Sequence, residues 1–143
     1  MNSQEIENIL IRHCKLFGGV YAADEINEIP FPSFVVVNTH ESGLNGEHWI
    51  AMYVNENICE FFDSLGQSPL NYHVYWQSFL LNKTKTYIHN TEKIQLEGTN
   101  TCGEHCIFYI IMRSNGISFS NILKALETVD VKYFINQFVL SEF

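Results

Sequence analysis

The spacing of apolar residues predicts an amphipathic helix at the start of the chain. Apolar side chains recur there three and four positions apart, which is the period of a helix with one buried face. Asn2 and Glu5 are spaced to form a capping box at its beginning, and Gly18-Gly19 is expected to end it. The apolar positions of this helix are Ile6, Ile9, Leu10, Leu16 and Phe17.

Runs of β-branched and aromatic residues predict strands in the middle of the chain. The first run covers residues 34–38 and is followed by a Gly-containing loop at 42–47. The second run, 48–54, is apolar at nearly every position, which favours a central strand with both faces covered. A third run at 58–63 completes a hairpin pattern. Two short strand candidates follow at 86–89 and 93–96.

Helical spacing returns in four later segments, which fixes the expected fold class. These segments are 70–81, 102–113, 121–127 and a stretch from residue 130. The last of them has a predicted buried stripe of Val131, Phe134, Ile135 and Phe138. Strands and helices do not alternate regularly, so we predict an α+β fold with a central mixed or antiparallel sheet flanked by helices. A length of 143 residues predicts a single domain, 1–143.

Composition narrows the classes of protein to which the chain can belong. Hydrophobic residues make up 46% and charged residues 17%, which excludes disordered, collagen-like and coiled-coil chains. The net charge of −8 argues against non-specific binding to nucleic acid or to an anionic membrane. No apolar run approaches the roughly 20 residues of a membrane span, and the first residues do not resemble a signal peptide. We therefore expect an intracellular protein whose cysteines are reduced thiols.

Cys102 is the first candidate for chemistry because it lies where a polar loop becomes a helix. The first turn of a helix lowers the pKa of a thiol, and its free N–H groups can hold an oxyanion. The alternative is a buried packing cysteine, which is also the role we expect for Cys106 one turn later. Cys102, Cys106 and His105 are all residues that can bind a metal ion. Structural zinc requires four ligands, usually from two closely spaced pairs, and the sequence has no second pair, so no metal site is predicted.

His48 and Asp63 form a second candidate group through the predicted hairpin. A two-residue turn at Asn55-Glu56 places the two directly opposite each other on one face, where a carboxylate can orient an imidazole. The alternative is a strand-end histidine and an aspartate that starts a turn. Gln95 carries an amide that can donate a hydrogen bond to an oxyanion, although an ordinary surface glutamine has the same sequence signature.

Four motifs in this order resemble the adenovirus proteinase (adenain) family and its relatives in virus-like transposons, within the clan that also holds SUMO proteases. They are Gly46-Glu47-His48-Trp49, Phe61-Phe62-Asp63-Ser64-Leu65-Gly66, Gln95 and Asn100-Thr101-Cys102-Gly103. The resemblance covers roughly residues 15–113. It implies the cysteine proteinase fold of adenain and the ubiquitin-like-protein proteases.

The resemblance also implies a role for each matched residue. Cys102 corresponds to the nucleophile, His48 to the general base and acid, and Asp63 to the carboxylate that orients the histidine. Gln95 corresponds to the side-chain donor of the oxyanion hole, which the Cys102 backbone N–H completes. It also implies substrate-binding positions at Trp49 and Gly103, with a tryptophan of the core as the alternative for Trp49. The implied activity is a thiol endopeptidase that cleaves viral precursor proteins at glycine-containing sites during virion maturation.

Two departures from the family change the expected partners. The family anchors an activating peptide through a cysteine that has no counterpart here between Asp63 and Gln95, and the charge of −8 argues against activation by DNA. We therefore expect no cofactor, and a peptide activator stays an open alternative. Precursor polypeptides in the nucleus or cytoplasm of a host cell, or in a virion, are the expected substrates. The alternative functions are an isopeptidase for ubiquitin-like proteins and a catalytically silent binding module of the same fold.

Overall fold

The computed structural model describes residues 1–40, 48–72, 74–96 and 98–139, and for Val74, Phe138 and Val139 the backbone alone. The predicted loop at 42–47, with Gly46 and Glu47 of the first motif, lies outside the described residues. The side chain of Phe138, the last member of the predicted C-terminal stripe, also lies outside them.

A mixed sheet forms the centre of the fold. In the described part of the chain it has five strands in the order β1-β2-β3-β4-β5. β1 is parallel to β2 and β5 is parallel to β4, while β3 is antiparallel to both of its neighbours. The predicted central position of the second apolar run is confirmed, because that run is β3. The strands are β1 Phe17–Tyr21, β2 Ser33–Asn38, β3 Trp49–Val54, β4 Ile58–Phe62 and β5 Thr86–His89.

Helices cover both faces of this sheet, which confirms the predicted α+β class. The capping box of Asn2 and Glu5 is present at the start of the first helix. The helix predicted over 70–81 begins later, after a 3₁₀ turn at Pro69–Asn71. Among the described residues, no helix is long and apolar enough to cross a bilayer. The helices are α1 Ser3–His13, α2 Val74–Lys83, α3 Cys102–Ser114, α4 Phe119–Ala125 and α5 Val131–Phe134, which continues as a π-helix over Ile135–Val139.

The long helix α3 is held against the sheet by an aromatic stack and a half-buried ion pair. The rings of Tyr109 and Phe62 are stacked with their centroids 5.0 Å apart. The Tyr109 hydroxyl donates to the Glu60 carboxylate at 2.6 Å, and the Arg113 Nε donates to the same oxygen at 3.0 Å. These contacts fix the register of α3 on β4. They therefore fix the position of Cys102, at the first turn of α3, relative to the end of the sheet.

The predicted end of the first helix and one predicted strand are wrong. The first helix ends at His13, and Gly18-Gly19 lies in β1, where a Cβ on Gly18 would come within 2.8 Å of Ser33. Here glycine allows β1 to approach β2, and it does not stop a helix. The candidate strand at 93–96 is a loop, because its N–H groups at Ile94 and Gln95 both donate to the Ser64 carbonyl.

The turn between β3 and β4 comes one residue later than predicted. Asn55 donates its N–H to the Ile58 carbonyl at 3.0 Å, so Glu56-Asn57 forms the turn in place of Asn55-Glu56. The Asn55 side chain explains the difference, since its Oδ1 accepts the N–H groups of Asn57 and Ile58 at 2.8 and 2.9 Å. An asparagine that closes a turn through its own side chain belongs before the turn rather than inside it.

This later turn removes His48 and Asp63 from direct opposition, which corrects the predicted pairing. Ala51 pairs with Phe62, and continuing that register places Asp63 opposite Ile50. His48 is therefore displaced along the strand by two positions. Because side chains alternate between faces with a period of two, this displacement keeps His48 and Asp63 on the same face.

Candidate active site

Three of the predicted site residues meet at one end of the sheet. His48 immediately precedes β3, Asp63 immediately follows β4, and Cys102 is the first residue of α3. All three side chains are buried, with exposed fractions of 8%, 0% and 4% respectively. The packing of α3 on one face of the sheet thus brings a helix N-terminus to the ends of two neighbouring strands.

His48 bridges the other two residues. Its Nε2 lies 2.6 Å from the Asp63 Oδ1, and because a carboxylate oxygen accepts, the imidazole donates there. The ring also hydrogen-bonds to the Cys102 thiol. Since Nε2 donates to Asp63, Nδ1 is the ring nitrogen that remains available to the sulfur. The order carboxylate, imidazole and thiol is the order that nucleophile activation requires.

These contacts change the pKa values of both titrating groups. Burial lowers the pKa of His48, but hydrogen bonds and charge interactions with Asp63 and Cys102 outweigh it and raise that pKa to about 9. Burial raises the pKa of the Cys102 thiol, but the hydrogen bond with His48 and backbone hydrogen bonds outweigh it and lower the pKa below the ordinary 9.0. Both changes favour a thiolate beside an imidazolium.

The backbone around the sulfur is rich in hydrogen-bond donors. The backbone groups of Trp49 and Gly103 both hydrogen-bond to the Cys102 sulfur. The first hydrogen bond inside α3 runs from the His105 N–H to the Thr101 carbonyl at 3.0 Å. The preceding N–H groups at the start of α3 therefore have no backbone carbonyl acceptor within the helix, which suits them to hold an anion at or beside the sulfur.

Tyr72 is a member of this site that the sequence did not single out. Its hydroxyl donates a short hydrogen bond to the Asp63 Oδ2, and its ring is stacked on the His48 imidazole with centroids 6.4 Å apart. Asp63 Oδ1 also accepts the Leu65 N–H at 2.9 Å, so this aspartate starts a turn while it binds His48. Tyr72 lies in the segment 70–81, whose helical spacing indicated packing alone. Only its hydrogen bond to Asp63, nine positions earlier in the chain, shows that it also belongs to the site.

Asn90 and Ser64 are two further buried polar residues near the site that the sequence did not single out. Asn90 follows β5 as Asp63 follows β4, and because β4 and β5 are parallel, the two residues reach the same edge of the sheet. Ser64 hydrogen-bonds to Gln95. The signal that could have identified Asn90 is this parallel pairing, which sequence periodicity alone does not specify.

Gln95 is buried in the loop that precedes α3, with 8% of its surface exposed. Its Oε1 accepts the Ser64 hydroxyl at 2.8 Å, and its Nε2 donates to the Thr99 carbonyl at 2.7 Å. One Nε2 hydrogen is used in this contact, and the second is available to another acceptor. The alternative of an ordinary surface glutamine is wrong, while the donation of a hydrogen bond to an oxyanion stays a prediction.

Trp49 and Gly103 pack together against the start of the chain. The Trp49 indole donates to the Met1 carbonyl at 3.1 Å. A Cβ on Gly103 would lie 3.2 Å from the Met1 Cβ and 3.6 Å from the Trp49 ring, so glycine allows α3 to approach this segment closely. A role of either residue in substrate binding stays a prediction.

The other two candidates near the sulfur have different surroundings. Burial raises the pKa of the Cys106 thiol well above its ordinary value, which makes it a poor nucleophile. Burial lowers the pKa of His105, whose Nδ1 contacts the Thr101 carbonyl at 2.7 Å. Over the ranges of chain that the structure describes, no group of three or more His, Cys, Asp or Glu residues could hold a metal ion.

Comparison with known proteins gives a distant sequence match to a viral protease. No family model matches the chain. Over 125 residues it is 29% identical to "SUMO-1 cysteine protease S273R" of African swine fever virus (isolate Warthog/Namibia/Wart80/1980) and to "Cysteine protease S273R" of strain Badajoz 1971 Vero-adapted. Each match covers 79% of this chain and 45% of the viral protein. The chain is a distant relative of S273R.

A crystal structure of an S273R protease also matches the fold of this chain. The crystal structure of the African swine fever virus pS273R protease matches with a TM-score of 0.57 at 19% identity, over 85% of this chain and 60% of that one. The match confirms the α+β fold. The chain spans about half the length of the S273R proteins that it matches. The sequence match is to proteins named as cysteine proteases, while membership of the SUMO-protease clan and of its adenovirus branch stays a prediction for this chain.

Proposed function

We propose that this protein is a cysteine endopeptidase in which Cys102 is the nucleophile, His48 the general base and acid, and Asp63 the residue that orients His48. The observation that carries the proposal is the position of the His48 ring between the Asp63 carboxylate, at 2.6 Å, and the Cys102 thiol. The location of Cys102 at the first turn of α3 and the lowered pKa of its thiol support the same roles.

In the proposed reaction the Cys102 thiolate attacks the scissile carbonyl carbon, and the C–N bond breaks as the His48 imidazolium gives its proton to the leaving amine. Water, deprotonated by the now neutral His48, then hydrolyses the thioester and releases the acid. The Cys102 N–H and the Gln95 Nε2 hold the oxyanion of both steps. Asp63 keeps Nε2 of the imidazole protonated, so that Nδ1 exchanges the proton with the sulfur and the substrate.

The proposed substrates are viral or virus-derived precursor proteins that are cleaved at glycine-containing sites. The resemblance to the adenovirus proteinase family and the viral origin of the S273R relatives support this substrate class. Trp49 supports the preference for glycine, because its half-buried indole packs against Gly103, the residue after the nucleophile, and would leave little room for side chains next to the scissile bond. Such processing would take place in the infected cell or in the virion.

A second candidate keeps the same chemistry and changes the substrate. One of the S273R relatives is named "SUMO-1 cysteine protease", which favours removal of a ubiquitin-like protein from its conjugates. Such substrates end in glycine and form an isopeptide bond with lysine. The two candidates therefore share the proposed nucleophile and differ in the surface that recognises the rest of the substrate.

The experiment offers the purified chain fluorogenic glycine-containing peptides and, in parallel, a ubiquitin-like protein joined to lysine. We expect hydrolysis by the wild type and by a Cys106→Ala variant, and none by Cys102→Ala. Faster hydrolysis of the ubiquitin-like conjugate than of the peptides would favour the second candidate. Cleavage that survives in Cys102→Ala, or a folded wild type that hydrolyses neither substrate, would contradict the proposal and favour a silent binding module.

A further inference from the structure

We infer that Ser64 is a positioning residue that orients the Gln95 amide for its role in the oxyanion hole. This inference rests on the proposed function. Ser64 is 2% exposed and directly follows Asp63, the proposed orienting carboxylate. It therefore lies between two groups of the site without touching the reacting atoms itself.

The orientation of the amide follows from its two partners. The Ser64 hydroxyl donates to Gln95 Oε1 at 2.8 Å, and Gln95 Nε2 donates to the Thr99 carbonyl at 2.7 Å. A carbonyl can only accept, so the Thr99 carbonyl selects the amide nitrogen, and the Ser64 hydroxyl, which donates to Oε1, holds the amide in that orientation. In this orientation the amide keeps one further N–H, and the proposed role in the oxyanion hole uses this donor. The flipped amide would offer the oxygen, which repels an oxyanion.

Backbone contacts hold Ser64 and Gln95 at a fixed separation. The Ser64 carbonyl accepts the N–H groups of Ile94 and Gln95 at 2.8 and 2.9 Å. Two positions further on, a Cβ on Gly66 would lie 2.5 Å from the Glu92 carbonyl carbon, so the two loops are in direct backbone contact. Ser64 thereby joins the loop that carries the proposed orienting carboxylate to the loop that carries the proposed oxyanion donor.

This arrangement predicts a kinetic signature that a general structural role would not give. An oxyanion donor acts on the transition state, so a misoriented Gln95 should lower kcat and leave KM unchanged. Removing the Ser64 hydroxyl should have no further effect once the Gln95 amide is gone. Alkylation of Cys102 by iodoacetamide forms no oxyanion, so its rate should not depend on Ser64.

The test is a double-mutant cycle on peptide hydrolysis with Ser64→Ala, Gln95→Ala and the double variant. We expect kcat to fall about 10-fold in Ser64→Ala and about 100-fold in Gln95→Ala and in the double variant, with KM and the iodoacetamide rate as in the wild type. Multiplicative losses in the double variant, or an unchanged kcat in Ser64→Ala, would overturn the inference. A wild type without activity would overturn the proposed function instead.

A second pair of variants keeps the inference testable if Ser64→Ala does not fold. Ser64→Thr and Ser64→Val are nearly identical in shape and differ in the hydroxyl. The threonine variant should exceed the valine variant in kcat by about 10-fold, with equal KM. Equal kcat values in these two variants would show that the hydroxyl does not position Gln95.

Discussion

The side-chain amide of Asn90 hydrogen-bonds to both the N–H and the carbonyl of Asp63. Its Nδ2 donates to the Asp63 carbonyl at 2.6 Å, and its Oδ1 accepts the Asp63 N–H at 2.9 Å. Asn90 is 3% exposed and follows β5, and its amide continues the parallel pairing of β4 and β5 by one step. The amide side chain therefore takes the place of a neighbouring peptide group at the end of the sheet, where the proposed active site begins.

Replacing Asn90 by Ala should weaken both the fold and the activity. Two buried backbone groups of Asp63 would lose their partners, which costs about 1–3 kcal/mol of the free energy of unfolding for each group. Because Asp63 orients His48, we also expect kcat for peptide hydrolysis to fall. Urea unfolding and steady-state kinetics measure the two effects. The exposed Asn136→Ala variant is the control, and an Asn90→Ala variant that matches it in both measurements would refute this role.

The pH dependence of kcat/KM should follow the two shifted pKa values. Activity requires the thiolate of Cys102, so the rate should rise as pH passes through the pKa of that thiol, below its ordinary 9.0. It also requires the imidazolium of His48 to protonate the leaving amine, so the rate should fall as pH rises through about 9. A profile that keeps rising above pH 9 would count against the ion pair.

Replacing Tyr72 by Phe should change the His48 side of that profile. The variant keeps the stacked ring but removes the donor to the Asp63 Oδ2. A carboxylate with one donor fewer attracts the imidazolium more strongly, so the pKa of His48 and the falling limb should both move to higher pH. The measurement is the pH profile of kcat/KM, with the exposed Tyr133→Phe as control. A falling limb that moves to lower pH would contradict this role of Tyr72.

Gly66 and Gly98 provide a matched test of the contact between the two loops. Both glycines have a φ of +72°, so alanine is strained equally at each position. A Cβ on Gly66 would lie 2.5 Å from the Glu92 carbonyl carbon, whereas a Cβ on Gly98 would meet nothing within 4 Å. We expect Gly66→Ala to lower the free energy of unfolding by about 1–3 kcal/mol more than Gly98→Ala. Equal losses in thermal or urea unfolding would mean that the loops separate easily.

Local signals in the sequence predicted the elements that depend on local interactions. The capping box of Asn2 and Glu5, the strand Thr86–His89 and the helix that starts at Cys102 are all found. Strand β1 was not predicted, because its glycine at position 18 is explained only by the close approach of Ser33 in the neighbouring strand. The hairpin register was wrong because a side-chain hydrogen bond of Asn55 decides where the turn lies.

The residues of the candidate site show the same difference between local signals and contacts that are distant in sequence. The thiol at a helix start and the histidine and aspartate at strand ends were predicted from residue type and position, and the structure brings Cys102, His48 and Asp63 together. Asn90 and Ser64 were not predicted. Asn90 hydrogen-bonds to Asp63 and Ser64 to Gln95, and these partners lie 27 and 31 positions away in the chain. Contacts between loops at such separations follow from the order of strands in the sheet, which periodicity does not specify.

Covalent labelling of the thiols tests the central claim most directly. The chain is incubated near neutral pH with a glycine-ending peptide vinyl sulfone, and the modified cysteine is identified by mass spectrometry of its peptides. We predict a single adduct on Cys102, formed more slowly in His48→Ala and absent from Cys102→Ala. An adduct on the buried Cys106, Cys59 or Cys14, or equal labelling of the wild type and Cys102→Ala, would contradict the account.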